Sequence, residues 1–241
     1  MEFYYKHLTS ETEKTVYRDL KHVVENHESS LYIPTGVSST QISRVFMYLL
    51  MDYPDFFWTK GDFTLYENID TEKHGCRIDL HYLYSEKECQ SMGKQIQESI
   101  MNICACVQSG ASQENIVRTI SAWFMDNVSY SSVPSADQTI YSALVMKKSV
   151  CMGISRAIKL VLRLFETDSI VVLGSLFQEC IHAWNVVHLD GSWYHLDVTA
   201  SYKCFDSVWA DHGIQDRKSL VLVKDRDIEE THSLREKIIF H

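Results

Sequence analysis

The chain has 241 residues, 45% of them apolar and 23% charged, a globular composition that excludes collagen-like, mucin-like and disordered classes. Lys and Arg total 23 against 32 Asp and Glu, a net charge of -9, so no basic footprint for nucleic acid or an anionic membrane is present. A chain of this length buries roughly three quarters of its unfolded surface without disulfide or metal staples, and only three prolines and nine glycines leave no linker-like tract.

Ser10 and Glu13 have capping-box spacing ahead of Val16, Leu20, Val23 and Val24, which predicts a helix over about Glu11 to His27. Ile42, Val45, Phe46, Leu49 and Leu50 predict a second from Ser39 to Met51, stopped before Pro54. Phe63 to Glu67 and Arg77 to Tyr82 both alternate in polarity around a polar loop containing Gly75, the pattern of a hairpin. Helical spacing returns at Met92, Ile96, Ile100, Ile103 and Val107, and again at Ile116, Ile120 and Phe124. A helix is expected from Val150 to Phe165, then an apolar strand at Ile170 to Leu173, two alternating segments flanking Asp190-Gly191, and a last strand at Ser219 to Val223 ahead of a charged solvated stretch from Lys224 to Glu230. Helices first and sheet afterwards argue an α+β fold.

The longest apolar run, Val45 to Met51, is far below the ~18 to 20 residues of a membrane span. The opening Met-Glu-Phe-Tyr-Tyr-Lys-His lacks the apolar segment of a secretory signal. Seven cysteines without CxxC pairs read as reduced thiols, so the expectation is a cytoplasmic protein.

Among those thiols Cys151 stands where a helix begins, with Lys147, Lys148 and Ser149 just upstream and Gly153 two residues on. Helix-initial amide groups, and the two lysines if they fold back, favour a thiolate there, and Gly153 admits close approach of another chain or a substrate. The Asp190-Gly191 pair is a type I′ turn signal. A two-residue turn there pairs Leu189 with Ser192, Val187 with Tyr194, Trp184 with Asp197 and His182 with Thr199. Asp197 then becomes the diagonal same-face neighbour of His182, within reach of a carboxylate-imidazole hydrogen bond. His195 faces Val186 and is a poorer partner for His182. Trp184, Trp193 and Tyr194 are candidates for a substrate groove or for core.

A helix-initial thiol, a histidine and an acid orienting it are the components of nucleophilic acyl transfer. The blocks Ser149-Val150-Cys151-Met152-Gly153, Gly174, His182-Ala183-Trp184-Asn185-Val186-Val187 and Asp190-Gly191 through Val198-Thr199 resemble a transglutaminase-like core domain, and the amino-terminal region resembles the helical lead-in of small bacterial members. The resemblance implies a papain-like fold, with the nucleophile helix on an antiparallel sheet, and a Cys151 nucleophile, a His182 base and acid, and an Asp197 orienter. Residues 1–110 would be a helical region with a hairpin packed on the core, and 111–241 the catalytic core. Met152 departs from the Gln or Glu of many relatives, and Ala200-Ser201 from their Trp-Asp; both changes bear on substrate preference and neither removes a triad member.

No phosphate-binding glycine loop is present, and Cys180, His182, Cys204 and His212 fit no common zinc spacing, so a cofactor-free and metal-free enzyme with a peptide or protein substrate is expected. With no recognisable calcium loop in the sequence, hydrolysis of an amide, as peptidase or amidase, is preferred over protein-glutamine transamidation. A non-catalytic peptide-binding module on the same fold is the alternative of another class. The second oxyanion donor is sought between Trp123 and Tyr130.

Overall fold

A computed structural model describes residues 2–67, 75–131, 136–176, 180–199, 223–224 and 232–234. The chain divides into two compact units, Met1–Gly93 and Lys94–His241. In the first, α1 (Phe3–His7), α2 (Glu11–Glu25) and α3 (Ser39–Asp52) accompany an antiparallel sheet ordered β1-β3-β2, from β1 (Ser30–Pro34), β2 (Thr59–Glu67) and β3 (Gly75–Tyr82). The predicted stripes explain it: Val16, Leu20, Ile42, Phe46 and Leu49 meet Ile33 and Ile78 in one fully buried core. Ser10 and Ser38 cap α2 and α3, and Ser38 with Gln41 completes a capping box. The expected hairpin is present, but β1 is an addition; it ends on Pro34 at a sheet edge, where a missing N–H costs no ladder bond.

Helix α4 (Glu86–Cys104) crosses from the first unit into the second, where α5 (Gln113–Asn127), β4 (Ser129–Tyr130), α6 (Ile140–Leu144) and β5 (Lys148–Ser149) lead to α7 (Cys151–Arg163). A five-stranded antiparallel sheet follows, ordered β10-β6-β7-β8-β9, from β6 (Ser169–Leu176), β7 (Cys180–Leu189), β8 (Ser192–Leu196), β9 (Val223–Lys224) and β10 (His232–Leu234). The fold is α+β, as the order of elements predicts. Of the expected strand Ser219 to Val223, only Val223 lies within the described residues, as does only Lys224 of the charged stretch. Among the described residues no helix is long and apolar enough to cross a membrane.

Sequence periodicity marks α7 as amphipathic, yet its ten residues Gly153 to Leu162 are all buried, Arg156 and Lys159 included. The reason is position: α5, α6 and β5 lie against it as well as strands β6 and β7. A helix enclosed in this way presents a fixed amino terminus to the sheet.

Candidate active site

Cys151 is the first residue of α7, whose N-cap is Val150 with no side-chain cap hydrogen bond. By contrast α2, α3, α5 and α6 are capped by Ser10, Ser38, Ser112 and Thr139. A valine cap supplies no side-chain acceptor to the first-turn amides, so the positive end of the helix dipole is presented at the sulfur. Gly153 is required here: a Cβ on it would lie 2.2 Å from Ser149 Oγ and 2.7 and 2.9 Å from the carbonyl oxygens of Asp137 and Thr139. The close approach expected of another chain or a substrate is made instead by the protein's own 137–139 segment.

Asp190 and Gly191 have φ of 48° and 76°, the left-handed pair of a type I′ turn. The register runs from Leu189↔Ser192 through Val187↔Tyr194 to Asn185↔Leu196, as expected from a two-residue turn. His182 and Asp197 consequently meet: Nε2 of His182 lies 2.7 Å from Oδ2 of Asp197. Both are buried, at 0% and 4% exposure. The other carboxylate oxygen accepts 2.8 Å bonds from the backbone N–H and hydroxyl of Thr199. Since that hydroxyl gives its proton to the carboxylate, Nε2 of His182 carries the ring proton facing Asp197, leaving Nδ1 for the thiol.

His182, the Ala183 backbone and the Tyr130 hydroxyl are the groups that act on the Cys151 sulfur. Burial pushes its thiol up, but the His182 bond and charge, the Ala183 N–H and the Tyr130 hydroxyl together hold it below the ordinary cysteine value. For His182 burial disfavours the charged ring, and the Asp197 carboxylate and then Cys151 outweigh it, raising it to about 10. Opposite shifts in a hydrogen-bonded Cys-His pair favour thiolate and imidazolium.

The helix is tied to the histidine strand beside this contact. Ser155, one turn after Cys151, donates to the Ala183 carbonyl at 3.2 Å, and Asn185 Nδ2 donates to the Ser155 carbonyl at 2.9 Å. Pairing of β8 with β7 ends at Asn185↔Leu196, so the helix meets β7 at Ala183, past the last β8 pair.

Lys147 does not fold back onto the thiol. Its ammonium lies 2.9 Å from Ser99 Oγ, bonds the Leu144 carbonyl and sits 4.1 Å over the Trp123 ring, and burial lowers it to about 8. Residues that sequence reasoning missed are Tyr130, Ser155 and the Trp184-His195 pair. Tyr130 arrives through the short parallel pairing Tyr130↔Ser149, two residues from Cys151. Its sole sequence signal was membership of the stretch searched for an oxyanion donor. Cys204 and His212, weighed as metal ligands, lie outside the described residues.

Residues 103–198 match the family model of the transglutaminase-like superfamily. The match includes Tyr130, Cys151, His182 and Asp197, and begins well before the motif-bearing Thr139 to Thr199. Among solved structures, one described as a TGase is 15% identical, with 58% of this chain and 44% of its own covered at a TM-score of 0.41. A candidate cysteine protease of Cytophaga hutchinsonii is 14% identical over 72% of this chain and 71% of its own, at 0.40. A candidate protease of Parabacteroides distasonis is 14% identical over 55% and 30%, at 0.35. The chain thus spans less than half the length of two of these three. No curated protein matches the chain.

Proposed function

We propose that the chain is a cysteine-dependent acyl-transfer enzyme acting on amide bonds of peptides or proteins, with water as the acyl acceptor. The observation that carries this reading is the buried His182–Asp197 hydrogen bond, with the helix-initial Cys151 thiol under the influence of the same His182 ring. The Cys151 thiolate attacks the amide carbonyl carbon, forming a C–S bond and an oxyanion. First-turn amides of α7 and the Tyr130 hydroxyl are the donors that receive that charge. The His182 imidazolium passes its proton to the leaving nitrogen as the C–N bond breaks, giving a thioester and a free amine. Water then attacks the thioester, His182 takes its proton, and carboxylate and thiol are released. Asp197 holds the ring orientation throughout and stabilises the imidazolium without being protonated.

A library of peptides and peptide amides, assayed for released amine or ammonia beside Cys151→Ala, tests the reading. Hydrolysis by the native chain and none by the variant is expected. If an added fluorescent primary amine is incorporated faster than water attacks, the protein is a transamidase. If both forms bind peptides and neither turns them over, it is a binding module.

A further inference from the structure

Behind His182 lies a second pair of buried polar rings that the acyl-transfer steps do not use. Trp184 and His195 are each 1% exposed, and the Trp184 indole N–H donates to Nδ1 of His195 at 2.8 Å. The Trp184 ring stands 5.9 Å from the His182 ring at an interplanar angle of 19°, and 6.1 Å from the His195 ring at 34°. The hairpin register builds both contacts at once. Val186 pairs with His195, so His195 is the diagonal neighbour of Trp184 in the same sense as Asp197 is that of His182.

We propose that Trp184 and His195 are positioning residues for His182: His195, as a neutral acceptor, fixes the indole, and the indole fixes the plane of the catalytic ring. The proposal rests on the reading of His182 as the proton-transfer group. Its physical need follows from the geometry of an imidazole. The bond at Nε2 to Asp197 anchors the ring at one nitrogen but leaves rotation about that bond free. A near-parallel aromatic face at offset-stacking distance restrains that rotation, and its π-cloud favours the charged ring. An indole N–H can only donate, so Nδ1 of His195 holds a lone pair and its ring proton is on Nε2. Plain core filling does not call for this arrangement. Two apolar residues would fill the space without burying an N–H and a ring nitrogen that each need a partner.

The test is the pH dependence of Cys151 alkylation by iodoacetamide, in the full chain, for the native protein, Trp184→Phe, His195→Leu and His195→Asn. His195→Leu removes the acceptor, whereas the Asn side-chain oxygen lies near the place of Nδ1. Expected for His195→Leu and Trp184→Phe is an acid limb moved towards that of a free thiol by about one pH unit, hence about tenfold slower alkylation on that limb, with His195→Asn restoring most of the native profile. Native profiles in folded Trp184→Phe and His195→Leu would overturn the proposal, as would His195→Asn falling as far as His195→Leu. Should the variants not fold, nitrogen-15 spectra of histidine-labelled native protein still decide the acceptor assignment. They should show His195 protonated at Nε2 alone at neutral pH, and a proton on Nδ1 would overturn it. If native Cys151 alkylates no faster than the other cysteines, the acyl-transfer reading fails first and takes the proposal with it. A reactive native Cys151 with unresponsive variants removes the proposal alone.

Discussion

Burial opposes the charged form of both Cys151 and His182, yet they shift in opposite directions, because Asp197 and then Cys151 hold the His182 proton while His182 favours the thiolate. The consequence for stability has a definite sign. His182 is raised from about 6.5 in the unfolded chain to about 10 in the folded one. The folded state therefore gains from its proton fully below pH ~6.5 and loses that gain as pH rises through the folded value. His182→Gln should remove this component, so the difference in melting temperature between native protein and variant should shrink between pH 7 and 10.5; a constant difference would contradict the shift. Cys151→Ala should abolish turnover with little change in melting. Asp197→Asn should keep the fold and lose on the order of 10⁴ in rate, as the analogous change does in a serine protease, through the wrong histidine tautomer. Equal thermal collapse of both variants would mark these side chains as structural. At this scale the helix-initial place of Cys151 and the meeting of His182 with Asp197 were legible in the sequence, because helix initiation and turn register are local rules. Tyr130 and Ser155 were not, because their partners are chosen by packing of separate elements.

The element that sets the position of Cys151 is the start of α7, held from two sides. Gly153 lets the 137–139 segment press on its first turn, and carbonyl oxygens of that segment cannot swing away from an added methyl group. Gly153→Ala should therefore cost about 1 to 3 kcal/mol and slow Cys151 alkylation, both measurable on one purified variant. Ser155→Ala removes the bond to the Ala183 carbonyl, with an expected cost of about 1 kcal/mol and a larger loss in kcat than in melting temperature. The β7-β8 hairpin makes a sharper prediction. One residue inserted into the Asp190-Gly191 turn shifts the register by one and sends Asp197 to the other face. Activity should vanish while the circular dichroism of the sheet persists. The hairpin was readable because an Asp-Gly turn with two left-handed residues admits one register. The pairing of β4 with β5 was not, since two-residue strands show no periodicity, and the Lys147 direction followed from Ser99 and Trp123 on other helices.

Over the whole molecule the residues of the proposed site lie in the second unit. Tyr130, Cys151, His182, Asp197 and His195 all belong to Lys94–His241, and the superfamily match at 103–198 lies within it. Enclosure of α7 by helices and sheet, with Arg156 and Lys159 buried, was beyond sequence periodicity, which reads one face of a helix at a time. Cys106 is exposed, while Cys151 is partly buried and set against an imidazole. Among the described cysteines, simple accessibility ranks Cys106 first and nucleophilic activation ranks Cys151 first. The most direct measurement is competitive iodoacetamide labelling of the native chain at pH 6.5, read out cysteine by cysteine through peptide mass spectrometry. Activation predicts that Cys151 is alkylated at least about tenfold faster than Cys106 and the other thiols, with the advantage lost in Asp197→Asn. Labelling that follows exposure, with Cys106 ahead of Cys151, would contradict the account.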